Sequence, residues 1–163
     1  MNIEESREFY NNIDKEYERY YFDEITGGFV IIHQNHNITV SEVFVALVFA
    51  KLGKQVKLLS EQTEEGMKTP DAEIDGELWE FKELKNALNV RGATQRDIRN
   101  GRKQARNIAY HLNQDYNIDD INGGIESAIR FDPQKLVEKI TLIFNDETLI
   151  TLTREEIDNG TSF

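Results

Sequence analysis

The chain has 163 residues, 39% of them apolar, with 19 Lys and Arg against 30 Asp and Glu, for a net charge of −11. Such a length and composition suit one folded domain, 1–163, with a core of ordinary size. The absence of cysteine excludes disulfides and thiolate metal sites, and neither an eighteen-residue apolar run nor a signal-peptide pattern occurs.

Residues 3–22, IEESREFYNNIDKEYERYYF, read as a polar helix rich in aromatics, giving a helical N-terminal segment 1–26 that Gly27-Gly28 breaks. Phe29 to Ile32 is a short apolar strand. A helix from about Val40 to Leu52 follows, with Thr39 three residues before Glu42 in capping-box spacing and Gly53 as its stop. Apolar residues cover most of its circumference, which predicts deep burial. A strand at 54–59 and a polar loop at 60–69 come next.

Thr69 to Lys85, TPDAEIDGELWEFKELK, predicts a hairpin over Asp75-Gly76, because a type I′ turn needs positive φ at both central residues. With that turn, Ala72, Ile74, Trp79 and Phe81 share an apolar face. Asp71, Glu73, Leu78, Glu80 and Lys82 share the other. Asp71 then lies opposite Glu80, and like charges so placed repel by roughly 0.2–1 kcal/mol. Either this face is solvated, with Lys82 compensating the acids, or the carboxylates flank a divalent cation such as Mg²⁺. A solvated face would tolerate Lys82→Ala within about 0.5 kcal/mol.

Beyond the hairpin the pattern predicts a loop at 86–94, a helix from about Gln95 to Leu112, and a turn at DINGG, 120–124. Residues 133–140 read as a short helix or turn, followed by a second hairpin of 139–145 and 148–152 over Asp146-Glu147. The order predicts an α+β, or mixed α/β, fold. Its central sheet would carry the hairpin at about 70–84, flanked by the helices at about 40–52 and 95–112.

Acidity is unevenly spread. Residues 1–30 carry a net −5 and residues 111–163 a net −7, whereas Lys82 to Arg106 carries +6 over 25 residues. Arg96, Arg99, Arg102, Lys103 and Arg106 in that stretch are candidates for phosphate contact, with a solvated basic helix as the plainer reading.

Pro70-Asp71, then Glu80-Phe81-Lys82, after a helix with an early acid, resembles the PD-(D/E)XK nuclease superfamily. The resemblance implies that Asp71, Glu80 and Glu42 bind Mg²⁺ and that Lys82 positions or polarises the attacking water. It also places Gln104 near the site on a following helix. A second resemblance covers roughly 27–112. GGFVIIHQNHN, KLGKQVKLLSE, KTPDAEIDGELWEFKE and RKQARNIAYHL are similar to the C-terminal tRNase domains of contact-dependent growth-inhibition toxins. Some of these are assigned to the barnase–EndoU–colicin–RelE-like class, which works without metal and would need no cofactor. That likeness implies His33 or His36, Glu80, Lys82, Thr94 and Arg96 as the group around an RNA phosphate. It also implies RNA, tRNA first and DNA second, as substrate, a cognate immunity protein as partner, and the cytoplasm of a target cell as the place of action. The chain departs from a toxin's usual form in opening on Met1 with no delivery region. Two further readings stand beside the RNase: a metal-dependent DNA endonuclease, and a non-catalytic acidic binding or immunity module that fills a basic cleft.

Overall fold

A computed structural model describes residues 1–61 and 69–163, so the polar loop expected at 60–69 lies largely outside the described residues. The chain forms two compact units, Met1–Leu78 and Trp79–Phe163. The described residues hold five helices and eight strands, in sheets that mix parallel and antiparallel pairs. This is the α+β class expected.

In the first unit, α1 (Ile3–Asn11) starts at Asn2, whose side chain accepts from the Glu5 N–H. The helix expected through residue 22 stops here. Tyr17–Phe22 is instead β1, antiparallel to β2 (Phe29–His33). Its four aromatics suit a pleated, half-buried surface better than a helix, and β2 supplies the hydrogen-bonding partner that no local pattern reveals. Phe9 and Tyr10 of α1 pack against the Phe29 ring, centroids 5.6 Å away in both cases. From β2 the chain crosses through α2 (Val40–Lys51) to β3 (Gln55–Leu58), which runs parallel to β2. Val45, Ala46, Phe49 and Ala50 of α2 are buried, as its apolar circumference implied. β4 (Ala72–Ile74) returns antiparallel to β3. The chain then reverses at Asp75 (φ 49°) and Gly76 (φ 85°), the two positive values a type I′ turn demands, and β5 (Glu77–Leu84) begins at once.

The second unit takes up β5 from Trp79 and builds two successive crossovers. α3 (Val90–Gly101) leads to β6 (Asn107–Leu112), and α4 (Ile118–Arg130) leads to β7 (Lys139–Ile143). β5, β6 and β7 are parallel neighbours. β8 (Leu149–Thr153) pairs antiparallel with β7 in the second expected hairpin, and α5 (Arg154–Asp158) follows.

Two expectations fail in this unit. The helix predicted over Gln95 to Leu112 is displaced: α3 begins earlier, capped by Asn89, and Asn107–Leu112 is a strand. All six residues of β6 are buried, so the strand lacks the alternation that would distinguish it from a buried helix. DINGG is not a turn but the body of α4. A Cβ at Gly124 would stand 2.6 Å from the Arg91 carbonyl oxygen and from Thr94 Cβ, so the glycine admits the α3 backbone at close range. That contact outweighs the roughly 1 kcal/mol that a helical glycine costs. Beneath the two helices lies a core that includes Ile98, Ile108, Ile121, Ile125, Ile140 and Leu142.

A buried ion pair closes the second unit. Asp132 accepts from the backbone N–H groups of Leu136 and Val137, each at 3.0 Å, and from Arg154 Nη1 at 2.5 Å. Burial alone would raise its pKa, but these donors hold it below the ordinary carboxylate range. A lowered carboxylate stabilises the fold above its unfolded pKa, and that stability is lost as pH falls through the folded one. Urea midpoints of Asp132→Asn should therefore show a weaker acid dependence below about pH 4 than the parent chain, where the parent loses stability.

Candidate functional site

In the second unit, Glu80 and Lys82 lie two residues apart on β5 and so point to one face. Their partners in register on β6 are Ile108 and Tyr110. The expectation of a solvated polar face fails at Glu80, which is 3% exposed. The end of α3 covers it: a Cβ on Gly101 would stand 3.0 Å from Ile108 Cδ1 and 3.7 Å from Glu80 Cγ. Lys82 Nζ lies 3.3 Å from Glu80 Oε2. An enclosed carboxylate is costly unless cations or donors meet it, so this contact is part of how the face folds. Tyr110, buried beside Lys82 in register, donates to Asp97 Oδ2 at 2.8 Å, and its hydroxyl lies 3.4 Å from Thr94 Oγ1. Burial holds the Tyr110 phenol above its usual pKa, so at neutral pH it is a fixed donor tying α3 to β6.

Most of the basic stretch meets in one place. Arg96, Arg99, Arg102 and Lys103, with Gln95 and Asn100, line a groove of about 440 Å³ on α3 and the turn after it. Arg99 stacks its guanidinium 4.8 Å over the Phe131 ring. Arg102 donates to the Phe131 carbonyl and sits 3.9 Å from Asp132, and Arg106 pairs with Glu138 at 2.8 Å. Gln104 lies in the turn after α3 rather than on a helix, because α3 ends at Gly101.

The first unit carries a separate cluster. His36 follows β2, with its ring wholly enclosed. Its Nδ1 is 2.6 Å from the Leu59 carbonyl, which only accepts, so Nδ1 carries a proton. Its Nε2 is 2.5 Å from Glu42 Oε2 and 3.7 Å from Glu61 Oε1. Burial lowers the His36 pKa, but the Glu42 carboxylate, the Leu59 carbonyl and Glu61 together raise it to about 8. The capping box is only half formed: Thr39 accepts from the Glu42 N–H, while the Glu42 carboxylate engages His36. Asp71 lies one step away, since its carbonyl accepts from the Leu59 N–H at 2.9 Å.

His33 stands apart from this group. Its Nδ1 accepts from the Asn35 N–H, its Nε2 is 3.6 Å from Glu16, and its ring meets Tyr17 edge-on at 5.1 Å. These contacts anchor the end of β2.

Among the described residues, the His and acidic side chains gathered closely enough to hold a metal are His36, Glu42 and Glu61, whose ligand atoms lie within 4.8 Å of one another. Glu42 of the trio expected from sequence belongs to it; Asp71 and Glu80 do not. Glu61 was missed because nothing in a single acid of a polar loop, 25 residues after His36, marks it as a neighbour. Asp97 and Tyr110 were missed because β6 was read as helix.

Residues 68–149 match the family model described as the contact-dependent growth inhibition CdiA C-terminal domain. The chain belongs to this family. The growth-inhibition domain is also similar to a solved CdiA-CT/CdiI toxin and immunity complex from Burkholderia pseudomallei, at 15% identity and a TM-score of 0.47. That match covers 83% of this chain and 96% of the other. No curated protein matches the sequence. No helix among the described residues is long and apolar enough to cross a membrane.

The enclosure of Glu80 changes what is expected of Lys82. Replacing Lys82 with Ala removes an ammonium 3.3 Å from a buried carboxylate and should destabilise the domain by about 1–3 kcal/mol. Urea unfolding at neutral pH reads this directly, against the near-neutral effect a solvated face would give.

Proposed function

We propose that this growth-inhibition domain is a nuclease that cleaves phosphodiester bonds in RNA, with tRNA as the first substrate to examine. The observation that carries the reading is the enclosed Glu80 held beside Lys82, a carboxylate and an ammonium at one point of a sheet face that α3 covers. A buried acid with a cationic partner is what proton transfer and charge stabilisation at a phosphate require. Arg96, Arg99, Arg102 and Lys103 line a groove on the same covering helix and the turn after it, where phosphates would be met by cations. In the metal-free form of the mechanism, the RNA 2′-OH attacks the neighbouring phosphate. Glu80 takes or returns the proton, and Lys82 and Arg96 stabilise the developing charge.

A second reading is a metal-dependent endonuclease of the PD-(D/E)XK type acting on DNA. It is favoured by the convergence of Glu42 with His36 and Glu61. In this reading Glu42 would be among the ligands of Mg²⁺. A bound cation would supply an acidified water and neutralise phosphoryl charge. The acidic binding module is set aside, because membership in a toxin-domain family argues for an effector rather than its inhibitor. A cognate immunity protein is proposed as the partner, since a cell that makes a growth-inhibiting domain needs protection from it. The site of action is proposed to be the cytoplasm of the target cell, where tRNA lies.

Purified protein should cut total tRNA in both Mg²⁺ and EDTA, leave 2′,3′-cyclic phosphate ends, and spare plasmid DNA. Cleavage confined to Mg²⁺, or to plasmid, would move the assignment to the second reading. Cleavage of neither would refute both.

A further inference from the structure

The most closely gathered cluster of metal-ligating side chains among the described residues of the first unit is His36 with Glu42 and Glu61. We infer that it is a binding site for a first-row divalent cation, Zn²⁺ or Mn²⁺ ahead of Mg²⁺, with His36 and Glu61 as ligands that the sequence motif does not include. It stands whether or not the domain cleaves RNA.

Three features distinguish this cluster from a patch of surface acids. First, one member is a histidine whose ring is wholly enclosed, so its nitrogens are aimed by packing. Second, its tautomer is set from outside the cluster. The Leu59 carbonyl holds the proton on Nδ1 and so turns Nε2 toward the two carboxylates. A metal-ligating histidine donates its other ring N–H in this way, most often to a carboxylate or a backbone carbonyl. Third, the partners come from separate parts of the chain and are individually held. Glu42 sits in the first turn of α2, whose start is fixed by Thr39, and Glu61 accepts from Asn37 Nδ2 at 3.2 Å.

The distances decide what change binding needs. Two ligands of one tetrahedral ion, each 2.0–2.2 Å from it, lie about 3.4 Å apart. The 3.7 Å between His36 Nε2 and Glu61 Oε1 is already close to that spacing. The 2.5 Å between His36 Nε2 and Glu42 Oε2 is a hydrogen bond through a shared proton, and it must open by about 1 Å as the cation takes the proton's place. Binding therefore makes bonds from the cation to Nε2 and the carboxylates and sends the shared proton to the solvent. One imidazole and two carboxylates leave an open position for water. The nitrogen ligand favours Zn²⁺ and Mn²⁺ over Mg²⁺, which prefers all-oxygen shells.

Isothermal titration of the full chain with ZnCl₂ and with MnCl₂, in two buffers of different protonation enthalpy, tests the site. The expected result is one saturable site with net proton release. Affinity should weaken at least about tenfold in Glu61→Gln and in His36→Ala, and stay unchanged in Lys82→Met. Glu61 is exposed, so circular dichroism of Glu61→Gln should match the parent and keep the result interpretable if His36→Ala unfolds. Absence of saturable binding, or binding that Glu61→Gln leaves unaltered, would overturn the proposal. Failure here leaves the metal-free RNase reading untouched, and loss of activity in Lys82→Met leaves this binding intact, so those two fail separately.

Discussion

Glu80 sets the terms for the second unit. It occupies β5 between Trp79 and Phe81, both buried, and is itself enclosed. Moving a carboxylate out of water costs several kcal/mol even after relaxation, so the surroundings must meet it with donors and cations. Lys82, two residues along the same strand face, supplies one. The glycine at the end of α3 lets the helix come close to Ile108, the residue paired with the acid on β6. A sequence under selection for stability alone has easier ways to fill that position.

The topology explains why such a group can be held there. β5, α3, β6, α4 and β7 make two successive parallel crossovers, and α3 and α4 lie against one another where Gly124 meets the backbone of Arg91. α3 therefore has two tasks. Its inner side, with Thr94 and Ile98, closes over the sheet, while its outer side presents Arg96 and Arg99. Tyr110 and Asp97 join helix to strand between these sides. A single element thus covers the buried acid and carries exposed cations, although the chain as a whole carries a net charge of −11.

What the sequence disclosed follows from the range of the forces involved. The Asp75-Gly76 turn, the Thr39 cap and the β7–β8 hairpin were legible because each is settled within a few residues. β6 was not, since a strand buried on both faces looks like a buried helix until its neighbours are known. The Gly123-Gly124 pair spoke for a turn until α3 was there to pack against it. At the candidate site, the pairing of Glu80 with Lys82 was legible from strand periodicity, but the burial of Glu80 was not, because it depends on α3. Glu42 was open between cap and ligand. The structure divides its parts, the N–H serving the cap and the carboxylate meeting His36.

The central claim is that the enclosed carboxylate of Glu80 takes part in phosphodiester cleavage rather than only in folding. Single-turnover cleavage of tRNA by Glu80→Gln, which keeps the side chain's shape, tests it most directly when urea midpoints are measured on the same preparations. The account predicts a rate loss of about 10²-fold or more in variant protein that remains folded. A folded Glu80→Gln domain that cuts at the parent's rate would contradict it.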